Sequence, residues 1–233
     1  MEIKGFRETS FLDWDGKIVS VIYLPYCNFR CAFCHNEGLI ISPQQYEEIS
    51  PERIKKYLLE HQDFIDGICV TGGEPSLHKD QGLYDFLREI KNMGFLVKVD
   101  TNGADPKFLN ELMDKKLVDY IAMDIKAPLN EKYAELAGEK VNLSDIQESI
   151  RILLPAKVSY EFRTTVAPAL SIEDIGLIAK ELRGAQKWVL QQFSPENCLD
   201  ENYRKLKPYP KEKLEEMQKI AGQYINNVSL RGV

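Results

Sequence analysis

The stretch Ile18-Val-Ser-Val-Ile-Tyr-Leu-Pro-Tyr-Cys-Asn-Phe-Arg-Cys-Ala-Phe-Cys-His35 decides how this chain is read. Its first seven residues are apolar and β-branched enough to form a strand. The strand empties directly into a C-x3-C-x2-C loop carrying Cys27, Cys31 and Cys34. A reactive loop just past a strand is the layout of parallel α/β proteins, whose ligands gather at strand carboxyl ends. Three thiolates from one short loop suit a [4Fe-4S] cluster. Such a cluster has four irons to ligate, so three cysteines leave one iron open to a ligand that is not protein.

Other uses of cysteine fit less well. No charged start followed by an apolar run and a small-residue cleavage site opens the chain, so a cytoplasmic location is expected, where disulfides are rare. Zinc is the serious competitor, making the protein a non-catalytic zinc-binding interaction module. A structural zinc site needs four closed ligands, and His35 would have to complete Cys27, Cys31 and Cys34, although adjacent residues rarely both reach one tetrahedral ion.

With 233 residues the chain has the size of one domain, 1–233, slightly short of the ~250 residues of a complete eight-stranded barrel. A formal charge of −6 and the lack of a long Lys/Arg block argue against a nucleic-acid partner. No run reaches ~18 apolar residues, so no membrane-spanning segment is expected. There is no internal repeat.

Short β-branched runs alternate with longer segments of helical period, the mark of βα units and a parallel sheet. Strands are expected at Ile18–Leu24, Gly67–Thr71, Phe95–Thr101, Tyr120–Ile125, Val158–Val166 and Lys187–Gln192. Helices are expected at Pro51–His61, Asp80–Asn92, Asp105–Lys115, Ser144–Leu153, Ser171–Leu182 and Pro210–Asn226, several opening on Ser, Asp or Pro. Six such units at this length suggest an α/β fold of the partial, laterally open (β/α)6 TIM-type barrel kind, with a doubly wound sheet as the other arrangement.

The residues at the strand ends are the test of this layout. The second strand ends in Thr71-Gly-Gly-Glu-Pro75, where two glycines let backbone approach a ligand, though Gly-Gly after a strand is commonly only a turn. The third ends in Val99-Asp-Thr-Asn-Gly103, readable as an Asx turn, and the fourth in Met123-Asp-Ile-Lys-Ala127, readable as a solvated ion pair. Strand alternation puts Asp124 and Lys126 on one side. Arg163 and Gln192 fall where a cleft wall would lie, or else make internal hydrogen bonds. Cys69 lies within a strand and reads as core, and Cys198 in a loop reads as incidental. Two thiols cannot build a second cluster.

These motifs together resemble the radical S-adenosylmethionine (SAM) enzymes: the cysteine loop with an aromatic before its third Cys, the Gly-Gly-Glu segment, and the Asp-Thr-Asn-Gly and Asp-x-Lys segments of the glycyl-radical activating branch. The resemblance implies that the open iron binds the amino and carboxylate groups of SAM and that an electron from the cluster splits the sulfonium, giving a 5′-deoxyadenosyl radical. It implies contacts to the cofactor from Gly72, Gly73 and Glu74, from Asp100, Thr101 and Asn102, and from Asp124 and Lys126, with Arg163 a further candidate from its place on the cleft wall. Phe33 would face the adenine and His35 would contribute its backbone. A monovalent cation would be shared near the acidic groups. The charges make sense on their own, since acids can balance a sulfonium and a lysine can bind a carboxylate in a water-poor site.

Lys4–Lys17, Cys34-His-Asn36, Glu161–Val166 and Leu190–Phe193 resemble the anaerobic ribonucleoside-triphosphate reductase activating proteins along nearly the whole chain. The chain departs from them at Pro25-Tyr26, where Gly is usual just before the first Cys, and at Trp14-Asp15. The resemblance implies an anaerobic oxidoreductase that takes a hydrogen atom from a glycine of a partner glycyl-radical enzyme, with flavodoxin or ferredoxin as electron donor. A radical SAM enzyme acting on a small molecule, such as a 7-carboxy-7-deazaguanine synthase, is the alternative.

Overall fold

The computed structural model describes residues 1–233, and its eight strands lie in one sheet in chain order, β1 to β8. The strands are β1 (Gly5–Ser10), β2 (Val19–Leu24), β3 (Gly67–Gly72), β4 (Leu96–Thr101), β5 (Tyr120–Asp124), β6 (Ser159–Val166), β7 (Trp188–Gln192) and β8 (Val228–Arg231). The helices are α1 (Glu37–Ile41), α2 (Pro51–Glu60), α3 (Leu83–Asn92), α4 (Pro106–Asp114), α5 (Glu131–Ala137), α6 (Leu143–Leu153), α7 (Ile172–Glu181) and α8 (Lys211–Ala221). The sheet is not closed, since β1 and β8 are its two edges. Strands β2 to β7 are the six expected from the sequence, within one residue at each end, and the α/β class of an open, partial barrel holds.

The chain forms two compact units, each assembled from separated stretches. The first comprises Met1–Asn28, Gly38–Thr101 and Lys107–Ile121. Here β1 runs antiparallel to β2, and β2, β3 and β4 are parallel. Leu24 pairs with Gly72, so β2 and β3 end level with one another. That register brings the start of the cysteine loop and the Gly-Gly-Glu turn out side by side. Ile54 and Leu58 of α2, and Leu83, Leu87 and Ile90 of α3, are buried at helical spacing. Ser50 caps α2 by accepting from the Arg53 amide, with Pro51 in the first turn.

The second unit comprises Phe29–Glu37, Asn102–Pro106 and Ala122–Val233, with β6, β7 and β8 parallel. Ser171 and Asp174 close a reciprocal capping box on α7, and Asp174 also receives Lys132 Nζ at 2.6 Å. Trp188 donates from Nε1 to Thr164 Oγ1 at 3.1 Å, and Thr164 in turn donates to the Ile125 carbonyl at 2.9 Å.

The structure differs from the sequence expectation in a few places. The helix expected from Asp80 begins at Leu83, because Pro75–Gln81 is a 3-10 turn ended by Gly82 at φ +95°. The last helix stops at Ala221, five residues early, where Gly222 follows. β1, β8, α1 and α5 were not foreseen. β1 is an edge strand rich in charged and hydroxyl side chains, and β8 is four half-buried residues long, so neither carries an alternating apolar signal.

Candidate active site

In the first unit the loop starts from a strained residue. Tyr26 has φ +62°, the left-handed region a bulky side chain rarely adopts, and its ring is half exposed. This is the position where the resembling proteins carry glycine, which adopts that conformation without cost. Three contacts hold it here: the Tyr26 amide donates to Leu39 O at 3.0 Å, the Glu74 amide donates to Tyr26 O at 2.8 Å, and the ring stacks on His78 at 6.5 Å. His78 is buried and its Nε2 lies 2.8 Å from Pro25 O. Cys27 follows, half-buried.

Gly72 and Gly73 serve this arrangement. A Cβ on Gly73 would stand 1.7 Å from Tyr26 O, and one on Gly72, at φ +109°, would stand 2.5 Å from Leu24 N and O. The space in front of both glycines is therefore filled by the protein's own backbone, which lets the Gly-Gly-Glu turn press onto the root of the cysteine loop. Backbone cannot yield as a side-chain tip can. Gly73→Ala is expected to cost about 1–3 kcal/mol and to displace Tyr26 and Cys27. A lowered thermal midpoint together with reduced iron uptake checks this, and an unchanged protein would contradict it.

Glu74 is buried, and its Oε1 accepts from the Ser76 amide at 3.0 Å and from Thr101 Oγ1 at 2.7 Å. Thr101 thus orients Glu74. Asp100 is paired with Lys98, a buried lysine whose Nζ also lies 3.7 Å from Cys69 Sγ. Lys98 was overlooked in the sequence, although it sits two residues before Asp100 on the same face of β4. Cys69 packs with Trp14, Val19 and Val21, as core.

The second unit holds Cys31 and Cys34, three and six residues beyond Asn28 along the same chain. Their segment is gripped from two sides. The Arg30 amide donates to Ala137 O at 2.7 Å at the end of α5, where Gly138, at φ +67°, has room only for hydrogen: a Cβ would stand 2.1 Å from Arg30 O. On the other side the amides of Leu199 and Asp200 donate to Cys34 O and Ala32 O at 3.0 and 2.9 Å, and His35 Nε2 lies 3.0 Å from Ser194 O. His35 is exposed and its ring is engaged with this segment. Residues 194–200 carried no periodic signal and were missed. Cys198 belongs to that segment, fully buried with its thiol donating to Ser194 O at 3.3 Å, so it packs beside the cysteine loop rather than lying idle on the surface.

The charged cluster of this unit centres on Asp124. Its Oδ2 receives Lys126 Nζ at 3.0 Å and its Oδ1 receives Arg163 Nε at 2.9 Å. Burial works against its ionisation, but the two cations outweigh burial and hold the carboxyl down at about 2. For Lys126 burial likewise opposes the charge, while Asp124 and the Cys31 sulfur raise its affinity for the proton. Lys126 Nζ also lies 6.0 Å from the centre of the buried Phe33 ring. Arg163 therefore joins the Asp124–Lys126 pair from mid-strand on β6. Asn102 forms an Asx turn, Oδ1 accepting from the Ala104 amide at 3.0 Å, and Gln192 is spent on Tyr209 O and the Phe193 amide.

The donor set suits an iron–sulfur group. Burial pushes the Cys31 thiol up to about 11, with Lys126 opposing, and also raises Cys34. Metal ligation reverses this, since a coordinating thiol is deprotonated outright. No group of three or more His, Cys, Asp or Glu side chains converges on a single ion position. A four-iron cluster gives each cysteine a different iron, so its sulfurs need not converge. The hydroxyl of Tyr133, within electrostatic reach of Cys31 and Lys126 and faced by the Lys126 amide, is buried with no acceptor for its proton. An unmade bond of that kind costs about 1–3 kcal/mol, which a bound group with acceptor atoms would recover.

Comparison with known proteins gives the family. The profile of a family described as the Radical SAM superfamily matches residues 21–182. A protein of Methanocaldococcus jannaschii that carries the provisional name of glycyl-radical enzyme activating enzyme is 35% identical over 240 residues, covering 99% of this chain and 96% of its own length. The pyruvate formate-lyase-activating enzyme of Clostridium pasteurianum is 25% identical, covering 93% of this chain and 95% of its own. Among solved structures, Streptococcus suis SuiB bound to S-adenosylmethionine superposes with a TM-score of 0.67 at 15% identity, over 91% of this chain and 52% of SuiB.

Proposed function

Because the chain belongs to the radical SAM superfamily, we propose that this enzyme is an activase that removes a hydrogen atom from a backbone glycine of a partner glycyl-radical enzyme, anaerobic ribonucleoside-triphosphate reductase being the partner of choice. The family works with a [4Fe-4S] cluster and SAM. The observation that carries the activase reading is the likeness, over 99% of the chain, to a protein named as such an activating enzyme. The reading takes residues 1–233 as one catalytic domain, because the family match draws on stretches of both units.

When bound, the cluster and SAM supply a one-electron cleavage of the sulfonium that provides the hydrogen-abstracting species. In the proposal Cys27, Cys31 and Cys34 hold three irons. Glu74, fixed through Oε1 by Ser76 and Thr101, presents a buried carboxylate to the amino group of SAM. Lys126 offers a cation to its carboxylate, steadied by Asp124, which Arg163 keeps ionised. Phe33 provides an apolar wall for the adenine, with the His35 backbone beside it, and Gly72, Gly73, Asp100 and Asn102 hold the backbone of the surrounding turns. A monovalent cation shared near Asp100 and Asp124 would compete for their carboxylates with Lys98 and with Lys126 and Arg163.

The two remaining cysteines, Cys69 and Cys198, are buried apart from any third thiol of their own, so this chain holds one cluster. Electrons come from a flavodoxin or ferredoxin, and open iron with free thiolates suits the reducing cytoplasm. No helix is long and apolar enough to cross a membrane. Abstraction needs the reacting atoms within about 3–3.5 Å, so the glycine-bearing loop must be ordered on docking.

Anaerobic reconstitution, reduction and addition of SAM are expected to yield 5′-deoxyadenosine and, with the reductase present, a glycyl-radical signal in frozen-solution electron paramagnetic resonance. SAM cleavage without that signal on any glycyl-radical enzyme would sink the activase reading. Saturable turnover of a small molecule without a partner protein would replace it with the small-molecule enzyme. A colourless, zinc-loaded protein without sulfide would overturn both.

A further inference from the structure

Tyr133 lies on α5, four residues before Ala137 and so on the same helix face. That face meets the cysteine loop, because Ala137 O accepts from the Arg30 amide at 2.7 Å and Gly138 approaches Arg30 as closely as backbone permits. The Tyr133 side chain is fully buried; the Lys126 backbone amide faces its oxygen as a donor, and the hydroxyl's own proton finds no acceptor in the protein. Its electrostatic neighbours are Lys126, Cys31 and Asp124. No oxygen of Asp124, which is turned to Lys126 and Arg163, comes within hydrogen-bond reach of the phenol, and an ammonium or amide N–H offers no lone pair. What remains for a phenol to donate to is sulfur on the Cys31 side.

We propose that the Tyr133 hydroxyl donates a hydrogen bond to a sulfur at the Cys31 corner of the cluster and by doing so sets the cluster's reduction potential. A hydrogen bond to sulfur stabilises the more negative, reduced cluster and moves the potential upward; such bonds, with burial and net charge, are what tune these centres. Tyr133 is then a positioning residue for the electron rather than for SAM. It holds one proton toward sulfur, and α5 holds both the tyrosine and the Arg30 end of the loop in a fixed relation.

The inference rests on the cluster reading above, and iron analysis separates the two. A parent protein that takes up no iron and sulfide overturns the cluster and this role together. With a loaded parent, Tyr133→Phe keeps the ring and removes only the donor. Redox titration followed by electron paramagnetic resonance is expected to show the ratio of reduced to oxidised cluster falling about threefold at the potential where the parent stands at one to one. Replacing Tyr133 alone with 3-fluorotyrosine, a stronger donor of the same shape, is expected to move the ratio the other way. Opposite shifts in the two variants are not what loosened packing produces. Tyr133→Phe with full iron content and an unshifted ratio overturns the proposal. If that variant fails to load, a 3-fluorotyrosine protein with the parent's potential overturns it instead.

Discussion

Replacing Cys31 with alanine is expected to abolish cluster assembly, bringing iron and sulfide from roughly four each per chain to background. Cys31 is the most buried of the three loop thiols, and its backbone segment is held at Arg30 by the end of α5 and at Ala32 and Cys34 by residues 199–200. The held segment cannot bring another donor into the vacated place. The thiols outside the loop are built into their own surroundings: Cys69 against Trp14 and Val21, and Cys198 against Ser194 O. Cleavage of SAM should fall by more than about 100-fold, since even outer-shell changes at metal sites cost 10–100-fold. Cys198→Ser, which keeps a small donor beside Ser194 O, should load normally. Iron loss in Cys198→Ser matching that in Cys31→Ala would mean that the ligand set has been misassigned.

The second large effect is expected at Asp124. Asp124→Asn leaves Lys126 and Arg163 facing a neutral amide, two cations without the anion that now joins them. Removing one partner of a fully buried pair costs about 3–5 kcal/mol. Asp124 keeps 29% of its side-chain surface exposed, so a loss of about 2 kcal/mol is the better expectation here. The pH dependence has a definite sign. The carboxyl titrates at about 2 in the folded protein against a reference of 3.8, so its contribution is present in full above about pH 4 and is lost as pH falls through 2. Denaturant unfolding of the parent and of Asp124→Asn should therefore differ most near pH 5 and converge near pH 2. A gap that stays constant over that range would show that the carboxylate charge is not what stabilises the fold. The same substitution should weaken SAM binding, because Lys126 loses the group that orients it, and equilibrium dialysis of the loaded protein would read this directly.

Much of the site was legible from local pattern. The six expected strands announced themselves because each is a short apolar run bounded by turn residues, and the helices between them begin with capping residues such as Ser50, Asn142 and Ser171. The Cys27–Cys34 loop, Gly72–Glu74 and Asp124-x-Lys126 were visible because their spacing lies within a few residues and because strand ends are where such loops belong. α5 was missed although Asn130 and Gly138 bracket it, because seven residues give too little periodicity to stand out. The helix expected from Asp80 was begun three residues early, because Asp80 and Gln81 suit a helix start while in the fold they end the Pro75–Gln81 turn, which Gly82 at positive φ closes.

Chain-local chemistry was thus enough to reach the family resemblance, the open α/β sheet and a candidate cysteine loop. The partners lay beyond it: that Arg163 completes the Asp124–Lys126 pair across 39 residues, that Lys98 neutralises Asp100, that residues 194–200 clasp the loop, and that Gly72 and Gly73 face the backbone of Leu24 and Tyr26. Tyr133 is the clearest instance, an ordinary helix residue by pattern and an orphaned donor beside Cys31 once folded. The reason is range. Spacing and propensity act over a turn or a strand, whereas burial, charge balance and an unmet hydrogen bond depend on which distant segments packing brings together.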